Sequence, residues 1–399
     1  MRDNTMTLHS FSANVRHALK CCYMFTFVAI VNLVFTSNAI ANKRTEAEHQ
    51  ITQLAQWQAA VSQSDFSGLV MVAHKGEAVF QYKFGLANRE QNIPFSQNTV
   101  FDIGSITKQF TATAIIQLSE AGKLSVQDRI TRFFPNVPSD KQNITLHHLL
   151  THSSGLPHGF GLYQKVTRAE FIKTAMAAPL KFEPGAQYSY SNAGYSLLAA
   201  VIEQVSGQGY ENYLQTHIFH PAGLNDTGYQ RVERRPENIA VHYGRDPNWF
   251  QRLLIVKAQS RSVGHSLAHQ YRDPGPRWYL LGGGGMLSTT YDMLRWYQTI
   301  RTKNPTIMKR TSWNRLFNQY VAENDKKEAF YGYGWRVSKD DMGRSVVSHN
   351  GSNGYNLTEF TYYPKLDMFV FKTTNNWDDS PEALINQFDN IAIKEIIHR

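Results

Sequence analysis

Ser105 and Lys108 stand three residues apart in Phe101-Asp102-Ile103-Gly104-Ser105-Ile106-Thr107-Lys108, where a helical apolar pattern begins. That spacing puts both side chains on one face of a helix. Serine is a weak nucleophile until a neighbour takes its proton. A lysine held against it and partly desolvated gives up its own proton more readily and can serve as that neighbour. The helix N-terminus adds free N–H groups where negative charge would develop. The pair therefore predicts a covalent nucleophile. The plain alternative is a surface serine beside a solvated lysine, since Ser-x-x-Lys arises by chance about once in a chain of this length.

Two further stretches could share that site. Tyr188-Ser189-Tyr190-Ser191-Asn192 follows Glu183-Pro184-Gly185 and precedes a helix. Tyr190 can act as a phenolate base if positive charge lowers its pKa, and Asn192 offers an amide that donates and accepts. Packing at a helix entry is the competing reading. Ser348-His349-Asn350-Gly351-Ser352-Asn353-Gly354 follows a strand-like run. Its glycines let backbone approach a ligand, and an edge N–H there can complete an oxyanion hole. His349 could hold a carboxylate or pass protons. A glycine-rich hairpin turn would look the same.

The elements that must position these residues can be read in outline. Residues 45–62 predict an amphipathic helix. Two strands, 68–73 and 78–82, flank a Lys75-Gly76 turn. The nucleophile helix spans 105–121 and stops at Gly122. Helices are predicted from Leu146, over 195–205 and after Thr289, whose Asp292 is the acidic residue of a capped start. Residues 231–280 predict a long loop-bearing insertion. Strands return at 333–337, 346–348, 357–363 and 368–373, before a terminal helix with Leu384, Phe388 and Ile396. The result is an α+β fold: an antiparallel sheet flanked by helices and built from both chain ends, with an inserted, mainly helical domain. The sheet part is set at 42–130 and 321–399 and the helical part at 131–320.

Composition narrows the class. The 399 residues are 42% hydrophobic, 13% aromatic and 18% charged, which describes a globular chain with a large core. Arg16 and Lys20, the apolar run from Cys21 to Thr36 and the small-residue site Ala39-Ile40-Ala41 predict a secretory signal over 1–41. The run is about 16 residues, short of the roughly 20 that span a bilayer, although an uncleaved anchor is the alternative. Both cysteines, Cys21 and Cys22, fall inside it, so the mature chain would form no disulfide. A periplasmic or secreted protein with no stable membrane span is expected. Net charge is +9, and +7 without residues 1–41, which carry Arg2, Arg16 and Lys20 against Asp3. Anionic cell-envelope polymers suit this surface better than nucleic acid, for which no basic stripe exists.

Taken together, Ser105-x-x-Lys108, Tyr190-x-Asn192 and His349-x-Gly351 resemble the serine β-lactamase-related, penicillin-binding-protein-like hydrolases. Within them the likeness is to the class C β-lactamase, D-Ala-D-Ala carboxypeptidase and family VIII esterase branch. His148-Leu149-Leu150-Thr151-His152-Ser153-Ser154-Gly155-Leu156-Pro157 and Gly283-Gly284-Gly285-Met286-Leu287-Ser288-Thr289 are similar to other segments of that group. The likeness covers about residues 60–375. It implies an acyl-enzyme on Ser105, with Lys108 and Tyr190 sharing the base role. Asn192, His349, Gly351 and Ser352 would bind substrate, and the Ser105 and Ser352 N–H groups would form the oxyanion hole. Its substrates would be D-amino-acid peptides, esters or β-lactams. His349 stands where β-lactamases carry lysine, which favours peptidase or esterase activity over β-lactam hydrolysis. A non-catalytic penicillin-binding sensor of the same fold is a third reading. No cofactor or metal is expected. His148 and His152 have zinc-helix spacing but lack the metalloprotease glutamate, Gly282–Gly285 is not a phosphate loop, and no Gly-x-Ser-x-Gly elbow occurs.

Overall fold

A computed structural model describes residues 53–64, 66–160, 165–229, 238–244, 260–265, 278–377 and 382–397. The expected signal segment and most of the 231–280 insertion lie outside these residues. The chain forms two compact units. One runs through Ala60 and resumes at Asn386; in it the Trp57 and Phe388 rings are 4.6 Å apart. The other spans Val61–Ile385 and carries every candidate site residue.

The larger unit is built on an eight-stranded antiparallel sheet. In chain order the strands are β1 Gly68–His74, β2 Glu77–Phe84, β3 Leu86–Asn88, β4 Ile93–Pro94, β5 Phe101–Asp102, β6 Val241–Gly244, β7 Arg261–His265, β8 Leu287–Ser288, β9 Val321–Ala322, β10 Ala329–Tyr331, β11 Arg336–Lys339, β12 Ser345–Gly351, β13 Leu357–Tyr363 and β14 Met368–Thr374. The main sheet runs β2-β1-β14-β13-β12-β11-β10-β9, so the two ends of this unit meet where β1 pairs with β14. Apart from part-buried His74, β1 and β14 are buried along their length. Near-continuous apolar runs are what strands covered on both faces require. Lys75 and Gly76 turn β1 into β2 with φ of 52° and 93°. Two positive φ values make the primed hairpin turn whose twist matches the strands.

Residues 53–62 are helical, within the expected 45–62, and further helices lie between β5 and β9. They are α1 Thr107–Glu120, α2 Leu146–Leu150, α3 Arg168–Ala177, α4 Asn192–Ser206, α5 Tyr210–Leu214, α6 Thr290–Thr302 and α7 Arg310–Leu316. A last helix, α8, spans Glu382–Ile397. α1 and α4 are buried along most of their length, as central helices must be. Ser191 caps α4 by accepting the Gly194 N–H, and Gly207 at φ 71° ends it. Thr289 caps α6 by accepting the Asp292 N–H at 3.2 Å. The core joins helix to helix and helix to sheet through large rings: Phe110 lies 4.7 Å from Trp296, and Tyr297 stacks on Phe369 at 4.9 Å.

The expected strand at 333–337 starts later, at Arg336, and β9 and β10 precede it. The reason is local. At Gly334, φ 78°, an added side-chain carbon would sit 2.7 Å from the Lys108 carbonyl oxygen. This stretch therefore bends out of the sheet to lie on α1. Within 231–280 the described residues form the antiparallel pair β6–β7 rather than loop alone.

Candidate active site

Ser105 lies in a one-turn 3-10 segment, Gly104–Ile106, leading into α1. Lys108 follows on the first turn of α1 and is fully buried. Its Nζ is 3.0 Å from Ser105 Oγ and 2.7 Å from Asn192 Oδ1, and it also bonds the Gly283 carbonyl oxygen. It sits 4.7 Å from the centre of the Tyr190 ring. Burial holds the Lys108 amine well below its ordinary pKa. A neutral amine donates two hydrogens and accepts one. With Asn192 and Gly283 as its two acceptors, an amine that has given up its third proton would turn its lone pair to the Ser105 hydroxyl.

Tyr190 is part-exposed as a residue, yet the surroundings of its hydroxyl are closed. Burial pushes the phenol above its ordinary value, and the hydrogen bond with Ser105 only partly offsets this. A phenolate at neutral pH is therefore not what this environment favours.

The Tyr190-Ser191-Asn192 stretch is clamped by the segment after α2. The His152 carbonyl oxygen accepts the Ser189 N–H at 2.8 Å, and His152 Nδ1 accepts the Ser191 N–H at 3.1 Å. Its ring lies 4.2 Å from that of Tyr190. The His158 carbonyl oxygen takes the Asn192 N–H at 2.8 Å. His148 instead closes a capping box with Thr145 at the start of α2. The two histidines with zinc-like spacing thus have separate structural partners, and among the described residues no group of three His, Cys, Asp or Glu could hold a metal.

Gly104 and Gly351 bring the third stretch against the first. At Gly104, φ 47°, a side-chain carbon would lie 2.5 Å from Ser352 N. At Gly351 one would lie 2.0 Å from the Ile103 carbonyl oxygen and 2.9 Å from Ser105 N. Only glycine at both positions lets the main chain at 351–352 reach the nucleophile turn. That brings the main chain at Ser352 against the Gly104–Ser105 turn.

His349, read as a group that could hold a carboxylate or pass protons, is held from within the protein. It is buried on β12, with Nδ1 2.6 Å from the Asn350 carbonyl oxygen and Nε2 2.8 Å from the Tyr331 hydroxyl. The first contact needs N–H at Nδ1, so Nε2 accepts from Tyr331. Burial is the main cause that lowers its pKa to about 3. Burial favours the uncharged ring, and both nitrogens are engaged inside the protein.

All seven residues read from the sequence therefore gather in one place: Ser105, Lys108, Tyr190, Asn192, His349, Gly351 and Ser352. Two contributors were missed. The Gly283 carbonyl oxygen is a main-chain group whose only signal was the Gly283-Gly284-Gly285 run. Tyr331 lies on β10, a strand the periodicity did not reveal.

Comparison with known proteins agrees with this geometry. The family model described as Beta-lactamase matches residues 47–392. Penicillin-binding protein 4* of Bacillus subtilis is 29% identical over 80% of this chain and 70% of its own. Esterase EstB of Burkholderia gladioli is 29% identical over 61% and 67%. The D-alanyl-D-alanine-carboxypeptidase/endopeptidase AmpH of Escherichia coli is 25% identical over 77% and 79%. The crystal structure of a penicillin binding protein from Bacillus halodurans superposes with a TM-score of 0.68 and 26% identity, covering 86% of this chain and 99% of that one. The chain belongs to the Beta-lactamase family and is a serine hydrolase.

Proposed function

We propose that the protein works through an acyl-enzyme on Ser105, with D-Ala-D-Ala peptidase-like or esterase-like activity on small esters or peptides. The observation that carries this is the placement of Lys108 Nζ, buried, held by two acceptors and 3.0 Å from Ser105 Oγ. Neutral Lys108 takes the Ser105 proton as Oγ attacks the substrate carbonyl carbon. The oxyanion settles against the Ser105 and Ser352 N–H groups. Tyr190, hydrogen-bonded to Ser105, relays the proton to the leaving alcohol or amine as the scissile bond breaks. Water then adds to the acyl carbon, returns its proton through the same groups and releases the acid. Asn192 holds Lys108 and meets the substrate amide.

His349 favours this reading over a β-lactamase. A lysine at that place would be a fixed cation for a carboxylate, whereas this imidazole is neutral and internally bonded. The relatives named as an esterase and a carboxypeptidase support the same substrate classes. Export rests on the signal-like residues 16–41, and the mass of the mature chain tests it. Among the described residues no helix is long and apolar enough to cross a membrane.

The experiment is a substrate panel of p-nitrophenyl esters, D-Ala-D-Ala peptides and a chromogenic cephalosporin, run on wild type and Ser105→Ala. Turnover of esters or peptides that Ser105→Ala abolishes is the expected result. Preferred turnover of the cephalosporin would transfer the function to β-lactam hydrolysis. An adduct on Ser105 that never turns over would mark a penicillin-binding sensor.

A further inference from the structure

Asp102 is fully buried, three residues before Ser105, and plays no part in the mechanism above. All of its oxygens are engaged. Oδ1 accepts the Gly104 N–H at 2.6 Å and Oδ2 accepts Asn353 Nδ2 at 3.2 Å. Its main-chain oxygen accepts Asn356 Nδ2 at 2.6 Å and Thr358 Oγ1 at 3.1 Å. Asn353 in turn folds its own turn, since its Oδ1 accepts the N–H groups of Tyr355 and Asn356 at 3.1 and 3.2 Å. Its Nδ2 also lies 2.9 Å from His242 Nδ1 on β6. β6 approaches closely here: a side-chain carbon at Gly244 would sit 2.4 Å from the Tyr355 ring.

One carboxylate thus ties together the two turns that carry the oxyanion N–H groups, at Ser105 and Ser352. A buried carboxylate is unfavourable unless it is paired or well hydrogen-bonded. Burial raises this one to about 6 even with Gly104 and Asn353 donating to it. A neutral residue would carry no such penalty, so the charge is explained better by what it holds than by stability. An oxyanion hole works only when its donors sit at about 2.7–3.1 Å from the oxyanion. A misplacement of about 1 Å can lower the rate about 10²-fold.

We propose that Asp102 is a positioning residue that, through Asn353 and with His242 behind it, sets the spacing of the Ser105 and Ser352 N–H groups. The inference rests on the acyl-enzyme reading above and deepens it. It also gives β6, from the otherwise unread 231–280 insertion, a place behind the oxyanion hole.

The test is an exchange of donor and acceptor. Asp102→Asn sets an amide NH2 against Asn353 Nδ2, and Asn353→Asp sets two carboxylates face to face. The double variant restores one donor and one acceptor. With a p-nitrophenyl ester, each single variant should lower kcat about 10- to 100-fold with KM within about two-fold, and the double should recover most of the loss. A packing role alone would not produce recovery by exchange. The proposal is overturned if both singles match wild type, or if the double is no better than the worse single. Should Asp102→Asn not fold, Asn353→Ala decides by the same kcat measurement: a loss supports the relay, and wild-type kcat overturns it. Ser105→Ala separates the two claims. If it keeps wild-type turnover, the acyl-enzyme reading falls and takes this one with it. If it is inactive while the Asp102 and Asn353 variants match wild type, the positioning role alone falls.

Discussion

Two corners of the site lie within a few residues of contact and are built on opposite principles. At the Ser105 corner a lysine is buried against three oxygens, and the serine stays partly open. At the His349 corner an imidazole is buried between Tyr331 and its own chain, and nothing is left over. The same cause, desolvation, lowers the pKa of both groups. The consequences differ. Loss of a proton makes lysine a base, whereas it leaves the histidine without the charge a carboxylate would seek. The first corner is equipped for bond breaking. The second forms a neutral wall, which is compatible with esters and uncharged acyl groups.

The largest effect expected from breaking this contrast is at Lys108. Lys108→Arg puts a permanent cation there that cannot act as a base, so kcat/KM for a p-nitrophenyl ester should fall about 10³-fold. Activity within ten-fold of wild type would remove Lys108 as the base. Tyr190→Phe deletes the hydroxyl that bonds Ser105 and should cost about 10- to 100-fold. If Lys108 is the base, the acid limb of the pH profile should survive in that variant.

That limb sharpens the contrast further. A base must be unprotonated, so the rate falls as pH falls through the Lys108 pKa. Desolvation places this fall well below the ordinary lysine range of about 10.4. His349, with a pKa lowered to about 3, stays neutral from pH 5 to 8 and should add no step there. Activity that declines between pH 7 and 8, and no longer does so in His349→Gln, would show that the imidazole is charged after all. The smallest effect expected is from His349→Lys, a few-fold gain for a carboxylate-bearing β-lactam relative to a neutral ester, measured as a ratio of kcat/KM values.

The sequence made the first corner legible because its chemistry resides in side chains at helical spacing. Ser105 and Lys108 could be paired from position alone, and Tyr190, Asn192 and His349 joined them through motif order. The β1–β2 hairpin was legible from Lys75-Gly76, and α4 and α6 from their ends. What stayed hidden was carried by groups without a pattern. The Gly283 carbonyl oxygen belongs to the main chain. β5 and β8 are two residues each, too short for any periodicity, yet they hold the approach to Ser105. Asp102 was in plain view beside the nucleophile, but its role depends on Asn353 and His242, which are distant in sequence. The charge of His349 depends on burial, which its local sequence does not encode.

Mass spectrometry of the intact protein tests the central claim most directly. Wild type and Ser105→Ala would be mixed with a fluorophosphonate, and the modified peptide located. One adduct on wild type, mapped to Ser105 and absent from the variant, is the predicted result. Equal labelling of Ser105→Ala, or an adduct on another residue, would contradict the account.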